Sequence, residues 1–340
     1  MIKITNYVIF FLILIFIGTH KIIADNVLPA NNYFTGKTIT YIVSTKAGGG
    51  YDSYARLIAE YMEKYLGARI VIKNSPGAGH IVGTNLLYIA KPDGLTIGTF
   101  NTGLIYAQLM HSPGIEFDLR KLSWIGNATS DPRVIVVSKT SGITSVDDLR
   151  QAKAPTLFVA SGVGSGSHND MIFLTWALGI EGKVIPGFSG NEAQMSMIRG
   201  EITGTMGSYS SLRPFVDNNY GRFIVHIGGE DIFGHKLKAA SSFAKDEDGR
   251  KLLSLVDALS RHGRLTAAPP RVPADRLYLL RQAYLLALKD PELLQRAESL
   301  NIPIKAVDGE DVTKFIHNAL QQPDDLLETM NAAHQQHAER

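Results

Sequence analysis

Twice in this chain an apolar run empties into glycines and passes straight into a helical pattern. Residues 38–43, "TITYIV", lead into "STKAGGGYDSYAR", and residues 155–160, "PTLFVA", lead into "SGVGSGSH". A strand followed by a loop and a helix has no hairpin partner. Its neighbour comes back in parallel, and the helix covers one face of the sheet. This order recurs along the chain, so the sequence predicts an α/β protein with mostly parallel sheet and helices on both faces.

The helical stretches carry their own start and stop signals. Tyr54, Leu57, Ile58, Tyr61, Met62 and Tyr65 recur on one face. Asp52 or Ser53 is placed to cap that helix and Gly67 to end it. "RIVIK" (69–73) and "LTIGTF" (95–100) read as strands, with a short helix through Leu86, Leu87 and Ile89 between them. Residues 133–138 and 223–228 read as further strands, and 144–152 as a short helix. Met171, Ile172, Trp176 and Ala177 mark a helix stopped by Gly179. Ser189 and Glu192 have capping-box spacing at the head of another. From residue 273 the chain turns to Leu- and Ala-rich helices, which read as a covering layer.

The first residues differ from all of this. Lys3 precedes an unbroken apolar run from Val8 to Ile17, and Ala24 follows at a cleavage distance. The run is short of the roughly 20 residues that span a bilayer, so 1–24 reads as a secretory signal peptide. Ala30 is a second candidate cleavage point, and an uncleaved anchor is the alternative. The mature protein is then expected outside the cytoplasm. Lys and Arg number 34 against 32 Asp and Glu, with no basic tract, so nucleic acid is not an expected partner. The chain has no cysteine. Disulfides, thiol nucleophiles and cysteine metal sites are excluded, as is a lipid-modified N-terminal cysteine.

The two glycine loops are the candidate site. Glycine lets backbone approach a ligand closely. The first N–H groups of a helix lack intrahelical partners and carry the positive end of its dipole, so an anion is the natural guest. Ser161, Ser165 and Ser167 can add hydroxyl donors. The plain alternative is an ordinary tight turn at each place. "PGAGHIVG" places Gly77, Gly79 and Gly83 like a dinucleotide fingerprint, but Asp93 sits in a Pro-Asp-Gly turn. Neither loop supplies a Walker lysine, and "GVGSGS" lacks the order of a nucleophile elbow. His168 can be drawn as a base for Ser165, though it reads better as a helix-start residue. His80, His111, His226, His235, His262 and His317 are scattered without metal-ligand spacing.

The longer pattern resembles a known family. "KAGGGYDSYARLIAEYMEKYLGARIVIKNSPGAGHIVGTNLLYIAKPDGLTIGTF" is similar to the opening of the tripartite tricarboxylate transporter substrate-binding proteins, the Bug family. Asp52, Ala55 and Arg56 match its first loop. Asn74, Pro76, Gly77, Ala78 and Gly79 match its Asn-x-Pro-Gly-Ala-Gly. Pro92, Asp93 and Gly94 match its turn, and Gly162, Gly164, Ser165 and His168 its second loop. The late "APPRVPADRLYLLRQAYLLALKDPE" resembles the family's C-terminal run, so the likeness covers roughly residues 36–325.

The resemblance implies a type II periplasmic binding protein fold, with two α/β lobes around a ligand cleft. Lobe 1 is expected at 31–127 and 228–340, lobe 2 at 128–227. It implies a periplasmic monomer that binds a small carboxylate and hands it to the membrane permease subunits of a tripartite transporter, with no catalysis, cofactor or metal. Carried over by position, the ligand-binding residues are Gly49, Gly50, Tyr51 and Asp52 in the first loop, and Ser161, Gly164, Ser165 and His168 in the second. Tyr51 stands where many members have a small hydroxyl residue. That is expected to reshape the cleft, and Gly207 and Ser208 stand where many members have an aromatic-Asp pair. Lys46 can add a charge beside the glycines. The rival readings are an exported hydrolase using Ser165 and His168, and a ligand-sensing module for a receptor.

Overall fold

Each glycine loop sits where a parallel strand hands the chain to a helix. The computed structural model describes residue 28 and residues 32–130, 132–188, 190–229 and 237–339. Strand β1 (Thr38–Val43) runs into helix α1 (Gly50–Leu66), which returns to β2 (Arg69–Asn74). Then come α2 (Ile81–Tyr88), β3 (Thr96–Phe100), α3 (Gly103–Leu109) and β4 (Ser123–Thr129). β1 pairs in parallel with both β2 and β3. Helix α1 buries Tyr54, Leu57, Ile58, Tyr61 and Met62, the stripe its spacing predicts. It ends on Gly67, whose φ of 63° lets its N–H bond to Glu63 O.

The chain then crosses to a second sheet. Here lie β5 (Arg133–Ser138), α4 (Val146–Arg150), β6 (Thr156–Ala160), α5 (Gly166–Ala177) and β7 (Gly182–Pro186). They are followed by α6 (Gly190–Ile198), β8 (Gly204–Ser208), α7 (Tyr209–Asp217) and β9 (Gly221–Ile227). The strand order is β7-β6-β8-β5-β9, with β5 antiparallel to both its neighbours. Ser189, expected to cap α6, lies outside the described residues, as do Ala24, Ala30 and the whole leader.

After β9 the chain returns through α8 (Glu247–Ser260) to β10 (Gly263–Ala268), which inserts antiparallel between β3 and β4. Helices α9 (Ala274–Lys289) and α10 (Pro291–Ser299) follow, then β11 (Val307–Asp308), α11 (Gly309–Ala319) and α12 (Asp324–Ala338). The first sheet therefore reads β11-β4-β10-β3-β1-β2. Helices α9 and α10 join α1 in one apolar core through Leu280, Tyr284, Leu288 and Leu293.

Two late helices divide differently from chain position. α8 and α12 both pack on α5 of the second sheet. Leu252, Leu253, Leu326 and Met330 share a core with Met171, Phe173 and Leu174. Lys245 N–H also donates to Ala177 O at 2.8 Å. Their apolar stripes find the nearest uncovered helix face, which belongs to the second lobe. No helix among the described residues is long and apolar enough to cross a membrane.

Candidate functional site

Helix α1 begins earlier than its polar residues suggest. Gly49, not Asp52, is the residue before the first turn. Asp52 instead reaches back from that turn, and its carboxylate accepts the Gly48 N–H at 2.9 Å. It also accepts Arg56 Nε at 2.8 Å and Asn74 Nδ2 at 2.9 Å. Asn74 Nδ2 donates to Thr45 O as well. Asp52 is only 3% exposed. Burial pushes its carboxyl upward, but the bonds from Arg56, Gly48 and Asn74 outweigh that and hold it below the usual range. Asp52 is thus the anchor of the first loop, and Asn74 and Arg56 brace it.

Gly50 faces a cation that the sequence reading misses. Arg264, the second residue of strand β10, is 7% exposed. A β-carbon on Gly50 would lie 3.0 Å from its Nη2 and 3.9 Å from Ser211 Oγ, which belongs to α7 across the cleft. The guanidinium lies over the Tyr51 ring at 4.1 Å and the Tyr54 ring at 4.8 Å. Tyr51 in turn meets the edge of His80, ring centres 5.0 Å apart. Nothing local in "RHGRLT" marks Arg264. Only its placement beside β3, two strands from the first loop, brings it there.

The second loop is knitted by its own hydroxyls. Ser165 caps α5, accepting the N–H of His168 and of Gly162, each at 3.3 Å. Ser167 Oγ accepts the Ser161 N–H at 3.1 Å and sits 3.2 Å from the hydroxyls of both Ser161 and Ser165. Gly164 adopts a φ of 74°, and Asn169 Nδ2 donates to its carbonyl at 3.2 Å. The His168 ring packs with His334 and His337 of α12, at 6.3 and 6.1 Å between centres. Burial, then the neighbouring His337, lowers its pKa. The hydrogen bonds described for Ser165 Oγ run to backbone N–H groups and to Ser167, not to an imidazole.

The two lobes touch backbone to backbone. A β-carbon on Gly79 would lie 2.5 Å from Gly164 C and from Ser165 N. One on Gly103, at the start of α3, would lie 2.5 Å from Gly166 N. Gly79 of "NSPGAGH" and Gly103 therefore let the first lobe approach the second loop, a role their spacing alone does not reveal. The start of α1 thus meets Arg264 and, through Tyr51, His80, while the start of α5 meets Gly79 and Gly103. Helix starts with exposed N–H groups suit an anion. Among the described residues no group of His, Asp or Glu is placed to hold a metal ion.

Comparison with known proteins agrees with this architecture. The profile of a family described as the tripartite tricarboxylate transporter family receptor matches residues 54–332. A UPF0065 protein of Agrobacterium vitis, from the TAR-I ttuE-ttuC' intergenic region, is 26% identical over 288 residues, 82% of this chain and 79% of that one. A UPF0065 protein of Pseudomonas sp., from the tcbD-tcbE intergenic region, is 26% identical over 185 residues; the match spans 53% of this chain and only 55% of that protein's length. Among solved structures, periplasmic binding protein BugD superposes with a TM-score of 0.70 at 19% identity, covering 87% of this chain and 97% of its own. MatC from Rhodopseudomonas palustris with bound malate gives a TM-score of 0.70 at 19% identity, covering 86% and 99%. The fold is therefore that of the periplasmic binding proteins, and the chain belongs to the tripartite tricarboxylate transporter receptor family.

Proposed function

We propose that this protein is an extracytoplasmic solute-binding protein. It captures a small carboxylate between its lobes and delivers it to the permease subunits of a tripartite transporter, without transforming it. One observation supports the reading: the loop that opens α5 meets Gly79, whose neighbour His80 packs against Tyr51 at the opening of α1, so the two glycine loops are read as facing one ligand from opposite lobes. Backbone N–H groups around Gly49, Gly50, Tyr51 and Gly164 hold the carboxylate, with the Ser161 hydroxyl beside them. Asp52, Ser165 and His168 shape the loops. The malate held by MatC is of the same ligand class.

The energetics suffice. A micromolar site needs about 8 kcal/mol. Charge-assisted hydrogen bonds contribute roughly 1.5–3 kcal/mol each, and each helix start about 0.3–1 kcal/mol, before ordering costs. Residues 1–24 act as the export signal, and the mature monomer works in the periplasm. A thermal-shift panel of mono-, di- and tricarboxylates, malate among them, tests the reading, with NMR following the ligand. A stabilising carboxylate that stays intact is the expected result. No stabilisation by any member, or product appearing during incubation, would overturn it.

A further inference from the structure

A site built only of backbone N–H groups and hydroxyls needs no cation, yet one is held at the start of α1. We propose that Arg264 is the specificity-determining residue of the cleft: its guanidinium pairs with the ligand's carboxylate over the start of α1, and it makes the site select carboxylates over their neutral amides. This rests on the solute-binding reading above and adds the group that sets its selectivity.

Four observations support it. The first is position. Arg264 Nη2 lies 3.0 Å from where a Gly50 β-carbon would stand, and Ser211 Oγ of the other lobe lies 3.9 Å from the same point. A β-carbon at position 50 would press the guanidinium back from the helix start. The second is preorganisation. The rings of Tyr51 and Tyr54 lie under the guanidinium, at 4.1 and 4.8 Å, and fix its plane at little further entropic cost.

The third is backbone strain. Arg264 holds a φ of +60°, a region that non-glycine residues enter at a cost, and such strain gathers at binding sites. The fourth is His80, the neighbour of Gly79. It is 6% exposed, its own φ is +85°, and its Nδ1 has no hydrogen-bond partner. A buried polar atom left over in this way is placed to bond a ligand. Burial, then the charge of Arg264, lowers its pKa to about 3. The imidazole is neutral at physiological pH and adds no charge beside Arg264. A guanidinium set against the positive end of a helix is a favourable arrangement once an anion lies between them.

The test uses the mature full-length protein and isothermal titration with succinate, malate, glutarate, citrate and benzoate. The tightest of these is then compared with its neutral amide. Wild type should bind the carboxylate and ignore the amide. Arg264→Gln keeps the backbone conformation within reach and removes the charge; it should bind the carboxylate about 100-fold more weakly and lose most of the preference over the amide. Arg264→Lys keeps the charge without the planar fork. It should lose about tenfold and keep the preference, and it guards against misfolding of the glutamine variant. Circular dichroism checks both folds. If folded Arg264→Gln binds as wild type does, or Arg264→Lys is unchanged where the glutamine variant does not fold, the assignment of Arg264 is wrong and the solute-binding reading stands. If wild type binds no carboxylate of the panel, the solute-binding reading falls and takes this one with it.

Discussion

Gly79→Ala adds a single carbon where the two lobes meet. That carbon would lie 2.5 Å from Gly164 C and Ser165 N and 2.8 Å from Gly164 O. Ordinary contacts begin near 3.5 Å, and all three neighbours are backbone, so no side chain can swing aside. Closure would have to stop about an ångström short at this point, or the second loop would have to shift. Overpacking of this kind costs about 1–3 kcal/mol. With ligand held from both lobes, as proposed, the cost falls on the closed, binding-competent arrangement, and affinity should drop about 10- to 100-fold. Gly79 also sits at φ 60°, ψ 34°, so alanine strains the backbone by a further 1–2 kcal/mol or so, lobes open or closed. Gly142→Ala isolates that part, because Gly142 has φ 74° and open space around it. Both variants should lose similar stability in urea. Only Gly79→Ala should lose affinity for the tightest carboxylate, and small-angle scattering should show its radius of gyration staying larger in saturating ligand. Equal affinity and equal bound radius for the two variants would refute the reasoning.

Three further outcomes are expected. Ser165→Ala removes the cap of α5 and should cost about 0.5–2 kcal/mol of unfolding free energy; lost affinity at unchanged stability would mean that the hydroxyl serves the ligand instead. Asp52→Asn should cost about 1–3 kcal/mol by loosening the Gly48 N–H and Arg56. Its carboxyl is held below the ordinary value, so its contribution is present above about pH 4 and lost as pH falls through the folded value, and the variant's urea midpoint should lack that acid-side fall. His80, with a pKa near 3 in the fold, acts at higher pH. The unfolded chain takes up a proton below about pH 6.5 while the folded one refuses it, so stability falls as pH drops from there, by about 2 kcal/mol at pH 5. His262 and His334, each lowered to about 4, add to the same fall, so His80→Gln should make the profile between pH 7 and 5 shallower without levelling it, and an unchanged slope would contradict the burial of this imidazole.

Whatever depends on neighbours in the chain can be read from the order of the residues. The strand–glycine–helix order set the α/β class, because backbone geometry at Gly49, Gly50 and Gly164 is a local matter. The apolar stripe from Tyr54 to Tyr65 set the buried face of α1. The ordered motifs of the two loops were enough for the family. Even so, the roles of particular side chains were legible only in part. Asp52 is a helix-start residue by position, but which donors reach it depends on Asn74 arriving at the end of β2. Ser165 and His168 are three apart, a spacing equally suited to a cap or a catalytic pair; the packing of α12 beside α5 draws the imidazole toward His334 and His337. Tertiary structure alone brought Arg264 and His80 to Tyr51, and Gly79 to Gly164. Contacts of this kind are decided by which strands become neighbours and how closely two lobes approach. That follows from the burial of whole sheet and helix faces, which leaves no mark on the few residues around an isolated arginine.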